Sequence, residues 1–331
     1  MTGTDSIGAR LDQALLIRRP DPETGAPWPA PDADRHPAPS PRSGWAAGAR
    51  PAIHRLFLLG EGIGASRTPA LHEAEGREQG LWLSYRILDS LEWGITAADL
   101  PAVIEWARTS GFSGFNVTHP FKQAIIEHLD GLSDRAAALG AVNTVVLRDG
   151  AAIGHNTDWC GYQTPFRAAL PGACTGTVVQ LGAGGAGAAV AYAMLDLGTP
   201  RLIIHDLQTQ RARELADRMN RLFGADRAQV GTDLATSLDG AEGLVNATPM
   251  GMATHPGCPV PPELLRPDVW VSEIVYFPLH TELLLQAREM GCHTVDGAGM
   301  AAEQAAQAFE LFTGVTPDAA RMHARVRAMA A

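Results

Sequence analysis

The chain has 331 residues, 46% hydrophobic and 19% charged, with a formal net charge of −10. Such acidity leaves no electrostatic footprint for nucleic acid or anionic lipid, so the expected partner is a small molecule. The length suits two domains, each with its own core; no apolar run reaches the ~20 residues that span a bilayer, and polar Asp and Arg residues stand where a secretion signal needs an apolar stretch, so a cytoplasmic protein is expected.

Residues 1–50 are rich in Pro, Asp, Arg, Gly and Ala, and the prolines between 20 and 41 recur too often for a helix or an inner strand. This composition predicts a disordered tail. From Ile53 the texture changes: strands are predicted over 53–59, 82–88 and 112–117, alternating with helices over 69–79 and 97–109, which argues for a parallel α/β layer. The third strand delivers Thr118 and Lys122 into a loop and a helix over 121–128. Stretches 141–147 and 151–155 flank Arg148-Asp149-Gly150, where Asp-Gly signals a two-residue hairpin whose second arm ends at Asn156-Thr157-Asp158. A helix near 161–170 precedes a buried strand over 177–181, a glycine-rich turn and an Ala-rich helix to 197. Strands over 201–205, 228–230, 243–246 and 270–275 and helices over 209–223 and 279–290 extend this second unit, and helices over 300–313 and 317–330 close the chain.

The turn Gly182-Ala183-Gly184-Gly185-Ala186-Gly187 is a weak signal alone, but it follows a strand and opens a helix, where free amides and the helix dipole can face a pyrophosphate. Asp206, nineteen positions beyond Gly187, ends the next strand. A carboxylate there accepts hydrogen bonds from both ribose hydroxyls of NAD and repels the 2′-phosphate of NADP. NAD is therefore the expected cofactor, although Arg211 nearby could also stabilise a phosphate. Asp206 could instead serve only to cap the helix near Thr209.

Lys122 alone reads most simply as a solvated helix residue, but it follows one strand end and Asp158 follows another, where functional groups of open α/β sheets gather. A lysine beside a carboxylate can exchange a proton with a substrate hydroxyl while a nicotinamide takes the hydride from the same carbon. Oxidation needs the neutral amine, so it is expected to speed up toward alkaline pH. His119 and His155 are assigned to packing or supporting roles. Ser66 and Thr68 can cap a helix before Pro69 and bind a carboxylate at the same helix start. The cysteines Cys160, Cys174, Cys258 and Cys292 lack C-x-x-C spacing and no histidine pair forms a metal pattern, so no metal is expected.

From Ile53 to the C-terminus the chain resembles the shikimate dehydrogenase family. The matching pieces are Ser66-Arg67-Thr68-Pro69, Asn116-Val117-Thr118-His119-Pro120-Phe121-Lys122, Gly140-Ala141-Val142-Asn143-Thr144, Asn156-Thr157-Asp158, Asn246-Ala247-Thr248-Pro249-Met250-Gly251 and Gln304. The resemblance implies an α/β fold of two domains with the active site between them: a substrate-binding catalytic domain over 51–158, a Rossmann-type NAD-binding domain over 159–297, and C-terminal helices over 298–331 packing back on the first domain. It implies Lys122 and Asp158 as the catalytic pair, Ser66 and Thr68 on the substrate carboxylate, and Thr118, Asn143 and Gln304 on ring hydroxyls. On the cofactor side it implies Gly182, Ala183, Gly184, Gly185, Ala186, Asp206, Arg211, Thr248, Ile274 and Gly297, with Tyr276 near the cleft.

Two features depart from most biosynthetic members, which carry Ser-x-Ser where this chain has Ser66-Arg67-Thr68 and an Arg-centred NADP motif where it has Asp206. Both resemble the NAD-dependent quinate/shikimate dehydrogenases that serve breakdown of hydroxylated cyclohexane carboxylates, as does Arg67-Thr68-Pro69-Ala70-Leu71-His72-Glu73-Ala74-Glu75-Gly76. The expected reaction is reversible oxidation of the ring 3-hydroxyl of quinate and shikimate, by a monomer or homodimer. The alternatives are an NADP-dependent biosynthetic shikimate dehydrogenase and a non-catalytic quinate-sensing regulator.

Overall fold

The computed structural model describes residues 7–15 and 53–330. They divide into two compact units: residues up to Asn156 together with Ala308–Asp318, and Thr157–Gln307 together with the residues from Ala319 onward. Of the C-terminal stretch expected on the first domain, Ala308–Asp318 makes that return, while 298–307 and the last helix belong to the second unit.

The first unit begins with helix α1 (Ile7–Ala14), which corrects the expectation of disorder at this point; the rest of the expected tail lies outside the described residues. Composition averaged over the segment hid a local period: Ile7, Leu11 and Leu15 recur every four residues on one helix face. Leu11 and Leu15 are buried in the core. Then follow β1 (Ile53–Gly60), α2 (Thr68–Glu78), β2 (Trp82–Asp89), the short helix α3 (Ser90–Trp93), α4 (Leu100–Thr109), β3 (Gly114–Val117), the single turn α5 (Phe121–Ala124), β4 (Gly131–Leu132), α6 (Asp134–Leu139), β5 (Thr144–Arg148) and β6 (Ala151–His155). Helix α1 lies on this unit through Asp12, whose carboxylate accepts the Trp106 indole N–H at 2.9 Å, and through Arg10, which donates to the Trp93 carbonyl at 3.2 Å.

The strands form one sheet in the order β2-β1-β3-β5-β6-β4. The β2-β1-β3 part is parallel as expected, whereas β3-β5-β6 is antiparallel, so the sheet is mixed. The predicted hairpin is present, with Asp149 and Gly150 both at positive φ (53° and 79°), as the tight two-residue turn demands. Strand β1 is apolar on both faces because both are covered. Phe57 and Leu59 enter the core containing Val103 and Trp106 of α4, and Leu56 and Leu58 pack with Phe309 and Phe312 of the returning segment. Gly114 has room for no side chain there, since a Cβ would stand 2.6 Å from the Phe312 ring.

The second unit comprises α7 (Asp158–Ala169), β7 (Thr177–Leu181), α8 (Gly185–Asp196), β8 (Arg201–His205), α9 (Thr209–Phe223), β9 (Ala228–Val230), α10 (Leu234–Leu238), β10 (Gly243–Asn246), β11 (Trp270–Glu273), α11 (Glu282–Glu289), β12 (Thr294–Val295), α12 (Ala298–Thr313) up to Gln307, and α13 (Ala319–Ala330). Its six strands are parallel in the order β12-β11-β10-β7-β8-β9. Counting from β7, this is the doubly wound order of a Rossmann fold, in which the strand order reverses between the first and fourth strands and leaves a crevice at their carboxyl ends. Among the described residues no helix is long and apolar enough to cross a membrane.

Candidate active site

Four of the five expected substrate residues, Ser66, Thr68, Thr118 and Asn143, lie in the first unit beyond strand ends on the same edge of its sheet, while Gln304 lies in the second. Thr118 follows β3; its amide donates to the Leu59 carbonyl at 2.9 Å, and its methyl fills the space over Gly60, where an added Cβ would lie 2.2 Å away. The loop beyond Gly60 is held by Asp89, whose carboxylate accepts from the amides of Gly62 and Ile63 at 2.9 and 2.7 Å. That loop leads to half-buried Ser66 and Thr68 at the start of α2, where the Thr68 amide donates to Ser66 Oγ at 3.3 Å. The helix start itself has no side-chain cap.

Lys122 lies in α5, half-buried, and its carbonyl accepts from Val142 at 2.8 Å. It is also the only lysine in the chain; the other twenty-five of the 26 Lys and Arg residues are arginines. Next in line, the buried Asn143 donates its amide to His155 at 3.0 Å, and its carbonyl accepts from Val117 at 2.8 Å. Lys122, Asn143 and the end of β6 are thus tied into one backbone layer. His119 is exposed, and burial followed by the charge of Arg148 holds the His155 imidazole below its usual range.

Two supporting residues escaped the sequence reading. Asn116 donates to the Asn143 carbonyl at 3.0 Å and to Thr144 Oγ1 at 2.9 Å, and accepts from the Tyr85 hydroxyl, all in the interior. Thr144 in turn donates to Asn143 Oδ1 at 2.9 Å, which orients the side chain expected to meet substrate. The available signal was an asparagine in the middle of an otherwise apolar strand, since a buried amide must find partners.

In the second unit Asp158 is the first residue of α7 and is 7% exposed, a position where the helix dipole favours an acid. One turn on, at Gly161, α7 approaches α12 closely enough that a Cβ would stand 2.7 Å from Gln304 Cβ. The structure therefore places Gln304 against the helix that Asp158 opens.

All the expected cofactor residues belong to this unit, and most stand at the carboxyl ends of its strands. Gly182 has φ of 96°, and a Cβ on it would come within 2.6 Å of the Ala247 carbonyl; one on Gly187 would come within 2.3 Å of the Gly182 carbonyl. Gly184 differs, because a Cβ there meets nothing within 4 Å. The middle glycine thus faces open space in front of α8, which starts at Gly185 and Ala186 without a side-chain cap. Backbone amides presented this way form an anion cradle, so the residues fit a dinucleotide pyrophosphate. Gln180 supports the turn from below, its Nε2 donating to the Gly182 and Gly187 carbonyls at 2.8 Å each.

Asp206 follows β8 half-buried, and its two oxygens accept from the amides of Ala183 and Gln208, each at 2.8 Å. Each oxygen keeps a second lone pair for a further donor. Arg211 is exposed on α9. Thr248 is oriented by Asn246, whose Oδ1 accepts from its amide at 3.1 Å and its hydroxyl at 2.7 Å. Ile274 donates its amide to the Asn246 carbonyl at 3.2 Å, and Gly297 sits so near Ile274 that a Cβ would lie 2.4 Å from the Ile274 carbonyl. Half-buried Tyr276 has its hydroxyl pKa raised by burial. Beneath these loops lies Glu273, 1% exposed, which burial pushes up to about 7 against the hydrogen bonds it receives.

A two-domain fold with a nucleotide cradle on one unit and a rim of hydroxyl, amide and amine groups on the other defines a nicotinamide-dependent oxidoreductase. Comparison with known proteins agrees. The shikimate dehydrogenase substrate binding domain matches residues 58–145, and the shikimate 5′-dehydrogenase C-terminal domain matches residues 297–327. The chain is 52% identical over 275 residues to a shikimate dehydrogenase (NADP(+)) of Streptomyces avermitilis, covering 82% of this chain and 94% of the relative. It is 47% identical over 273 residues to a quinate/shikimate dehydrogenase (NAD(+)) of Corynebacterium efficiens, covering 81% and 96%. The solved structure of quinate dehydrogenase from Corynebacterium glutamicum in complex with NAD superposes with a TM-score of 0.78 at 46% identity, covering 82% of this chain and 98% of that one. The chain belongs to the shikimate dehydrogenase family.

Proposed function

We propose that this protein reversibly oxidises the ring 3-hydroxyl of quinate and shikimate, with NAD as its cofactor. The observation that carries the choice of NAD is the Asp206 carboxylate at the end of β8, fixed by two backbone amides beside the glycine turn. There it can accept from ribose hydroxyls, and its charge opposes a 2′-phosphate. The relatives are named for both cofactors, so this residue, rather than overall similarity, supports NAD over NADP.

In this reading the cradle from Gly182 to Ala186 holds the pyrophosphate, and Thr248, Ile274 and Gly297 border the nicotinamide, with Arg211 near the adenosine end. Bound NAD supplies the hydride acceptor. Ser66 and Thr68 hold the substrate carboxylate through hydroxyl donors, and Thr118, Asn143 and Gln304 bind ring hydroxyls. Lys122 takes the proton from the reacting hydroxyl, and Asp158 accompanies it as the carboxylate of the pair. Only an amine that can lose its proton serves as a base, which an arginine cannot do. A lone lysine among arginines supports that role for Lys122.

The test is cofactor preference in wild type and in Asp206→Ser. Wild type is expected to favour NAD over NADP, and Asp206→Ser to lose about tenfold in kcat/KM for NAD while gaining for NADP. A wild type that prefers NADP would support instead the biosynthetic reading suggested by the Streptomyces relative and exposed Arg211.

A further inference from the structure

We infer that Glu273 is a positioning residue for the nicotinamide end of the cofactor site, holding the loops after β10 and β11 in one arrangement through its carboxylate. The inference rests on the cofactor reading above and assigns a role to a residue outside the cofactor contacts.

Glu273 and Asn246 are register partners at the ends of neighbouring parallel strands. Glu273 Oε1 accepts from Asn246 Nδ2 at 3.0 Å and from the Val275 amide at 2.9 Å; Oε2 accepts from Asn246 Nδ2 at 2.9 Å and from Thr281 Oγ1 at 3.2 Å. Asn246 passes the restraint on. Its Nδ2 also donates to the Met250 carbonyl at 3.0 Å, and its Oδ1 receives both the amide and the hydroxyl of Thr248. Thr281 caps α11 through Leu284 at 3.3 Å. Gly297, at the start of α12, lies against the Ile274 and Val275 carbonyls. Thr248, Ile274 and Gly297 therefore all hang, directly or through one intermediate, on a single carboxylate.

The chemistry argues that this is more than packing. A carboxylate at 1% exposure is expensive to bury, and all the donors it meets are neutral, so an apolar residue would stabilise the unit better if filling space were the only requirement. Its advantage is the number of acceptor directions, which let one side chain fix donors from three segments at once. The adenosine end is built separately, from Gln180 beneath the glycine turn and from Asp206 at Ala183 and Gln208. Damage at Glu273 should thus be felt at one end of the dinucleotide only.

The experiment compares binding of ADP, which carries the adenosine and diphosphate alone, with binding of NAD, by calorimetry on the full chain. Wild type is expected to bind both. Glu273→Gln is expected to bind ADP within about twofold of wild type and NAD about tenfold more weakly, the scale of one or two buried hydrogen bonds lost, with kcat reduced at saturating NAD. Glu273→Ala should widen the split. Should either variant fail to fold, Thr281→Val, which deletes one donor to the same carboxylate together with the side-chain cap of α11, is expected to show the same split on a smaller scale. Parallel weakening of ADP and NAD, or no change in either, overturns the inference. A wild type that binds neither nucleotide overturns the cofactor reading instead.

Discussion

At the scale of single residues, the three glycines of the nucleotide turn illustrate how identical side chains serve different ends. Gly182 and Gly187 are required by the protein itself, because a Cβ on either would collide with a backbone carbonyl of the same unit. Gly184 faces open space at φ of −73°, a conformation that alanine adopts without strain. Its lack of a side chain matters only when something approaches from outside. Gly184→Ala is therefore expected to leave the melting temperature unchanged while raising KM for NAD about tenfold, the methyl occupying space that the pyrophosphate needs. Thermal melts and initial rates on the same preparation check this; a lowered melting temperature with unaltered KM would place the purpose of Gly184 inside the fold. Lys122 makes a related point about legibility. It follows the end of β3, and composition also marks it, as the single lysine in a chain otherwise served by arginine.

At the scale of elements, what the sequence revealed depended on length and on partners. Much of the doubly wound unit was readable because α7, α8 and α9 span several turns each, and β7, β8, β9 and β10 fall where the apolar runs place them. The two-residue strands β4 and β12 show no period, and α6 and α10 are too short for an apolar stripe to stand out. The Asn246–Glu273 pair was invisible for a different reason: its members lie 27 positions apart, and only the strand order brings β10 beside β11. Helix α1 was masked by the proline-rich segment that follows it. Because its docking rests on Leu11, Leu11→Ala is expected to cost about 2 kcal/mol in urea unfolding, less if the whole helix detaches first. An unchanged midpoint would mean that α1 contributes nothing to the stability of the first unit.

At the scale of the whole molecule, the two units carry buried ionisable groups of opposite effect. His72 of the first unit is fully buried among Tyr85, Phe309 and Phe312, neither ring nitrogen has a hydrogen-bond partner, and burial lowers its pKa from 6.5 to about 3. The unfolded chain thus binds a proton that the folded one refuses. The His72 contribution is whole above pH 6.5 and declines as pH falls toward 3, by about 1.4 kcal/mol for each unit. Glu273 of the second unit works the other way: raised from 4.5 to about 7, its contribution is whole below pH 4.5 and is lost as pH rises through 7. His72→Leu is accordingly expected to gain about 2 kcal/mol relative to wild type on going from pH 6.5 to pH 5, read from urea midpoints at each pH. A difference that stays constant with pH would show that the imidazole takes up its proton in the fold as readily as in the unfolded chain.

Oxidation with Lys122 as the base and NAD as the hydride acceptor, as proposed, is tested most directly through the NADH absorbance band. Purified protein would be supplied with quinate or shikimate and with NAD or NADP, beside Lys122→Met, which retains the apolar stem of the side chain and removes the amine. The expected result is NADH formation from both acids, strongest with NAD, falling by several orders of magnitude in Lys122→Met while calorimetry still detects NAD binding. The contradicting result is a folded wild type that binds quinate and NAD yet forms no NADH, or a Lys122→Met variant that turns over as fast as wild type.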